Sequence, residues 1–125
     1  MAWFSKKRED ASKVREDSNR RQDPRFSGQG ECAAILDDSG RAILACDVGD
    51  LSISGMRLEK YSGPLRGGQY FEFKLTGAVG EPPPECIGYA NIIRVKDENL
   101  AAKFSQPQPA LKNFLLDYFD AVSAR

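Results

Sequence analysis

The chain has 125 residues, no formal net charge, no histidine and 41% hydrophobic residues, which suits one globular domain around one core. Charge neutrality removes any bulk attraction to nucleic acid or an anionic membrane, and the lack of histidine leaves a zinc site few ligands. The cysteines Cys32, Cys46 and Cys86 have no CxxC spacing and lie in apolar runs, so they read as reduced core thiols of a cytoplasmic protein.

The charge is unevenly distributed. Residues 1–25 hold eight Lys/Arg and five Asp/Glu, a net of +3, and residues 26–125 carry the balancing −3. The first 19 residues form a charged arm with little to bury. A short helix and a disordered segment are both compatible with its composition. The start, Met1-Ala2-Trp3-Phe4 before Lys6-Lys7-Arg8, lacks the apolar centre of a signal peptide, and no run approaches the ~20 apolar residues of a membrane span. Pro24 disfavours helical geometry at Asp23, so Arg21 and Arg25 are expected on an extended or turning chain.

Beyond Phe26 the pattern becomes short strands between turns. Residues 31–36 are the first strand, closed by Asp37-Asp38-Ser39-Gly40. Residues 41–48 are the second, broken by Gly49. Residues 52–61 continue as a strand before the Ser62-Gly63-Pro64 turn. In residues 69–75, Phe71, Phe73 and Leu75 alternate with Glu72 and Lys74. The loop 76–85 carries three prolines and cannot be a central strand. Residues 86–95 form the longest strand, 96–99 a hairpin turn and 100–104 the last strand. About six antiparallel strands with short connections are expected to close into a small barrel or sandwich, because closure removes exposed edges. After Pro107 and Pro109, the residues Leu111, Phe114, Leu115, Tyr118, Phe119 and Val122 follow helical spacing, with Leu116 off the stripe. This predicts a helix over 109–123 packed on the barrel.

Two patterns carry chemistry. Asp50, Ser52 and Ser54 alternate with Leu51 and Ile53, which predicts an extended polar strip facing solvent with the apolar pair pointing inward. Gly55 leaves room for close approach to the backbone. Upstream, Arg21 and Arg25 form an RxxxR pair, with Arg20 directly before it. An arginine fork can grip a phosphate or the O6/N7 edge of guanine, or stack on a base. Asp50 can accept from guanine N–H groups, and the Ser52 hydroxyl can donate or accept.

RxxxR followed by DxSxxG, in this order and with this strand pattern, resembles the PilZ domain family, whose members bind the bacterial second messenger cyclic di-GMP. The resemblance runs from about residue 20 to residue 104, with a C-terminal helix like that of many members. It implies an all-β fold with a C-terminal helix, a six-stranded antiparallel barrel over residues 20–125; residues 1–19, which it does not cover, are expected to be a flexible charged N-terminal arm by composition. It implies further that Arg21, Arg25, Asp50, Ser52 and Gly55 contact cyclic di-GMP, and that Arg20 favours a stacked pair of ligand molecules. The expected role is a non-catalytic receptor, with no metal or cofactor, that signals to an effector protein in motility, biofilm or exopolysaccharide control. The alternative is a barrel of the same fold serving as a protein–protein adaptor without nucleotide. A barrel for single-stranded nucleic acid would want a basic groove, against the −3 of residues 26–125. No nucleophile sits beside an evident base, so no enzyme is expected.

Overall fold

The computed structural model describes residues 25–123, with seven strands and one helix. These are β1 (Arg25–Ser27), β2 (Cys32–Leu36), β3 (Ala42–Ser52), β4 (Gly55–Glu59), β5 (Tyr70–Thr76), β6 (Glu85–Lys96), β7 (Asn99–Phe104) and α1 (Pro109–Ser123). The sheet order is β1-β3-β2-β5-β6-β7-β4, and β4 also pairs with β3. Strands β2 to β7 therefore form a closed antiparallel barrel, as expected, and β1 is an added short strand on β3. The charged arm over 1–19, and with it Arg20 and Arg21, lies outside the described residues.

Alternation builds the core. Phe71, Phe73 and Leu75 of β5 point inward against Ile35, Leu58, Ile92, Leu100 and Phe104, all buried. Two turns show their local cause. Asp37 Oδ1 accepts from Ser39 N (2.9 Å), Ser39 Oγ (2.7 Å) and Arg41 N (3.0 Å), which lowers the Asp37 pKa and folds the β2–β3 hairpin. At the β6–β7 hairpin Asp97 and Glu98 both take positive φ, the pair of values a tight primed turn requires.

Helix α1 seats Leu111, Leu115, Tyr118 and Phe119 in the core, and Leu116 stays exposed, as its misfit to the stripe implied. The ring of Phe119 stacks on Phe26 of β1 at 4.3 Å, so the helix helps hold that strand in place. Tyr118 reaches further: its hydroxyl donates to Glu31 Oε2 (2.6 Å) and accepts from Ala78 N (2.7 Å). Burial and the Glu31 bond push the Tyr118 pKa up to about 12. The thiols correct the sequence reading in part. Cys46 is a core residue, but Cys32 is half-buried on an outward-facing strand position, and Cys86 is half-buried at the start of β6, packed against the edge of the core. All three are free, and burial raises the pKa values of Cys46 and Cys86.

Candidate functional site

The expected polar strip is not a continuous strand. Strand β3 ends at Ser52 and β4 begins at Gly55, so Ile53 and Ser54 are the turn between them. Ser52 is buried, at 1% exposure, beside buried Leu51. Its Oγ accepts from Ser54 N (3.3 Å) and Gly55 N (3.2 Å) and donates to Gly55 O (3.3 Å). A serine at this point bends the chain back on itself by satisfying the turn's own amides. That local bonding overrides the alternation: Ser52 turns inward, Ser54 is half-buried, and Ile53 only packs against the edge of the core.

Asp50 faces outward for a different reason. The β3–β4 ladder pairs Val48 with Leu58 and then Asp50 with Arg57, leaving Gly49 as a bulge. A bulge shifts the phase of a strand by one residue. Without it, Asp50 would follow Cys46 and Val48 into the core. A Cβ on Gly49 would meet the Arg57 guanidinium and the Glu59 carboxylate, so a larger residue there would push these side chains aside. Arg57 lies across that space, with Nε 2.7 Å from Asp50 Oδ2 and Nη1 3.1 Å from both Glu59 Oε2 and Asn99 Oδ1. These bonds, Asp50 first, raise the Arg57 pKa and keep it a cation. Among the described residues no donor reaches Asp50 Oδ1.

Gly55 answers to the fold. A Cβ there would meet the carbonyl of Ala102 on β7, so the close approach allowed by this glycine is made by the neighbouring strand.

Together these residues line a cleft of about 250 Å³ whose rim includes Asp50, Ser54, Arg57, Ile93 and Lys103. Ile93 sits at a second bulge, on β6, and is 61% exposed. A further hollow past Ala101 is lined by Arg57, Arg94 and Lys96, which extends the basic surface away from Asp50. Strand β1 pairs with the end of β3, Arg25 with Ser52, Phe26 with Leu51 and Ser27 with Asp50. Thus the last residue of RxxxR and the start of DxSxxG, distant in sequence, lie side by side in one ladder.

No protein-family model and no curated protein matches the chain. Solved structures do. YcgR of Escherichia coli, crystallised in complex with c-di-GMP, matches 84% of this chain at a TM-score of 0.64 and 19% identity. This chain spans 46% of YcgR. The PilZ domain of CeSA from a cellulose synthesizing bacterium matches 78% of this chain, and 96% of its own length, at a TM-score of 0.58 and 17% identity. The fold is the PilZ fold.

Within the PilZ barrel, Asp50, Ser52 and Gly55 line the cleft, and Arg25 pairs with Ser52 through the backbone of β1. The sequence reading missed Arg57, Arg94 and Lys103. Arg57 had no local signal, since only the bulge at Gly49 brings the second residue after Gly55 opposite Asp50. Lys103 becomes visible only once β7 is known to pair with β4, opposite Gly55.

Proposed function

We propose that this protein is a non-catalytic receptor for cyclic di-GMP, whose binding changes the protein's surface for an effector partner in the cytoplasm. The observation that supports the reading is the β1–β3 ladder, which pairs Arg25 with Ser52, a residue of the cleft that Asp50 also lines. The match to YcgR, solved with this ligand, supports it. In this reading Asp50 offers its open oxygen to guanine N–H donors. Arg57 and Lys103 face the phosphates, and Ile93 gives apolar contact to a base. Arg21 and Arg25 clamp the ligand from the arm side, with Arg20 able to serve a second stacked molecule. Ser52 and Gly55 act by shaping the turn and the cleft wall. The reading extends to a switch, in which ordering the arm on the ligand is the signal that the partner detects. The output in motility, biofilm or exopolysaccharide control belongs to the same proposal.

Calorimetric titration with cyclic di-GMP tests it. Wild type should release heat, and Arg21→Ala and Arg25→Ala should each weaken binding by about 30-fold or more, the range for losing a charge-assisted contact. The same titration reads one ligand or a stacked pair. A silent wild type, or two variants that bind as wild type does, would leave the non-binding adaptor as the better reading.

A further inference from the structure

A second groove, which shares no lining residue with the cleft, opens beside the β2–β3 hairpin. It measures about 420 Å³, and Asp38, Ile43, Tyr70, Glu72 and Tyr89 form its exposed surface. Outward positions on β5 and β6 build it. Glu72 pairs with Tyr89 and Tyr70 with Asn91, which sets the two tyrosines on a diagonal where their rings stack at 5.6 Å and 9°. Tyr70 is 57% exposed and Ile43 56%. A stacked aromatic pair and an isoleucine in water form an apolar surface that nothing in the barrel uses.

The rim selects the occupant. Asp37, Asp38 and Glu72 border the groove, and no lysine or arginine lines it. Among the described residues no cationic side chain pairs with any of the three, in contrast to Asp47, Asp50, Glu59 and Glu85. Arg41 and Arg66 are exposed nearby in sequence but stand outside the lining. Asp37 is partly committed to its hairpin turn and Glu72 accepts from the Tyr89 hydroxyl, so Asp38 and the remaining lone pairs of Glu72 carry the free acceptor capacity.

We propose that this groove is a docking site for a basic, partly apolar segment of a partner protein. Lysine or arginine stems lie along the faces of Tyr70 and Tyr89, their charged heads reach Asp38 and Glu72, and an aliphatic side chain covers Ile43. The match is one of charge as well as shape: two or three carboxylates beside an aromatic platform favour cations and reject acidic segments. The inference stands independently of the cyclic di-GMP reading, because the two surfaces have separate linings.

The test is fluorescence anisotropy with a labelled peptide alternating lysine and leucine, beside a control peptide alternating glutamate and leucine, on the full chain. The lysine peptide should bind and the glutamate peptide should not. Tyr70→Ala with Glu72→Gln should weaken the lysine peptide by about tenfold or more. Glu72→Gln alone, a surface change that keeps the fold, should weaken it by about threefold. Asp120→Asn, on the outer face of α1, should leave it unchanged. Equal binding of both peptides, or groove variants that bind as wild type does, would overturn the proposal. So would a gain of about tenfold when Lys6, Lys7, Arg8 and Lys13 are all changed to glutamine, since that assigns the groove to the chain's own basic arm. Cyclic di-GMP titration of Glu72→Gln should match wild type, and a parallel loss there would also overturn the proposal. If wild type binds no cyclic di-GMP, the peptide results still decide this inference alone.

Discussion

Two carboxylates in this barrel stand at opposite extremes. Glu31 is 4% exposed and has both oxygens occupied, Oε1 by Gln29 N (2.7 Å) and Oε2 by the Tyr118 hydroxyl (2.6 Å). Asp50 keeps a third of its side chain in solvent and commits one oxygen, to Arg57. The first is saturated and dry, so any change at it leaves partners stranded in low dielectric. The second is held by a solvent-accessible pair worth little to stability, and its partner can be shared or exchanged. Both are tied to β1, one through the helix and one through the ladder. Among the described residues, only Asp50 of the two keeps an oxygen without a donor.

The comparison breaks most visibly at Glu31. Glu31→Ala leaves the buried Tyr118 hydroxyl without its carboxylate acceptor, and should cost about 3 kcal/mol of unfolding free energy by urea titration. A loss under about 0.5 kcal/mol would mean that the cluster is not saturated as described. Next comes Gly55→Ala, whose new methyl is driven into the Ala102 carbonyl of β7. It should destabilise by about 2 kcal/mol, and any loss of ligand affinity should follow that loss of stability. Wild-type stability with abolished binding would instead make Gly55 a ligand contact.

These two cases also mark what could be read without coordinates. The barrel and its helix were legible because their signals are periodic and mutually consistent: Phe71, Phe73 and Leu75 alternate, and Leu111, Leu115, Tyr118 and Phe119 keep helical spacing. The site was legible only in its residue types. Two features here escaped a period-two reading: Gly49, expected to break the strand, is a bulge within it, and Ser52 turns inward to satisfy its own turn. Both are one-residue events decided by tertiary pairing, which alternation cannot register. Glu31 was passed over because its partner lies 87 residues away on α1. The strand at Arg25–Ser27 is three residues long and rests on pairing with β3 and on the Phe26–Phe119 stack, neither of which is a local signal.

Another effect is confined to alkaline pH. The Tyr118 hydroxyl has its pKa raised from 10.0 to about 12 by burial first and by Glu31 second. The unfolded chain therefore releases this proton at lower pH than the folded chain does. The contribution is intact below about pH 10 and is lost as pH rises toward 12, at about 1.4 kcal/mol per pH unit across that window. Cys46 and Cys86, raised by burial, slope in the same direction. Melting temperature measured between pH 9 and 12 should fall more steeply for wild type than for Tyr118→Phe. Parallel curves would place the tyrosine's titration outside the folding equilibrium.

The smallest change in stability should come at Arg57, and it separates the two carboxylates most sharply. Arg57→Ala removes the Nε donor from Asp50 and the Nη1 donor from Glu59 and Asn99, all at a surface where water replaces them. Exposed pairs of this kind contribute under about 1 kcal/mol, so the urea midpoint should barely move. Affinity for cyclic di-GMP should fall by about tenfold or more, because the variant loses a cation at the rim and the orientation of Asp50 together. Raising salt should narrow the gap between wild type and variant as the lost charge is screened. If Arg57→Ala instead cost as much stability as Glu31→Ala and left the titration unchanged, the roles would be reversed. Asp50 would then be a structural anchor like Glu31, and the cleft beside it a consequence of the bulge alone.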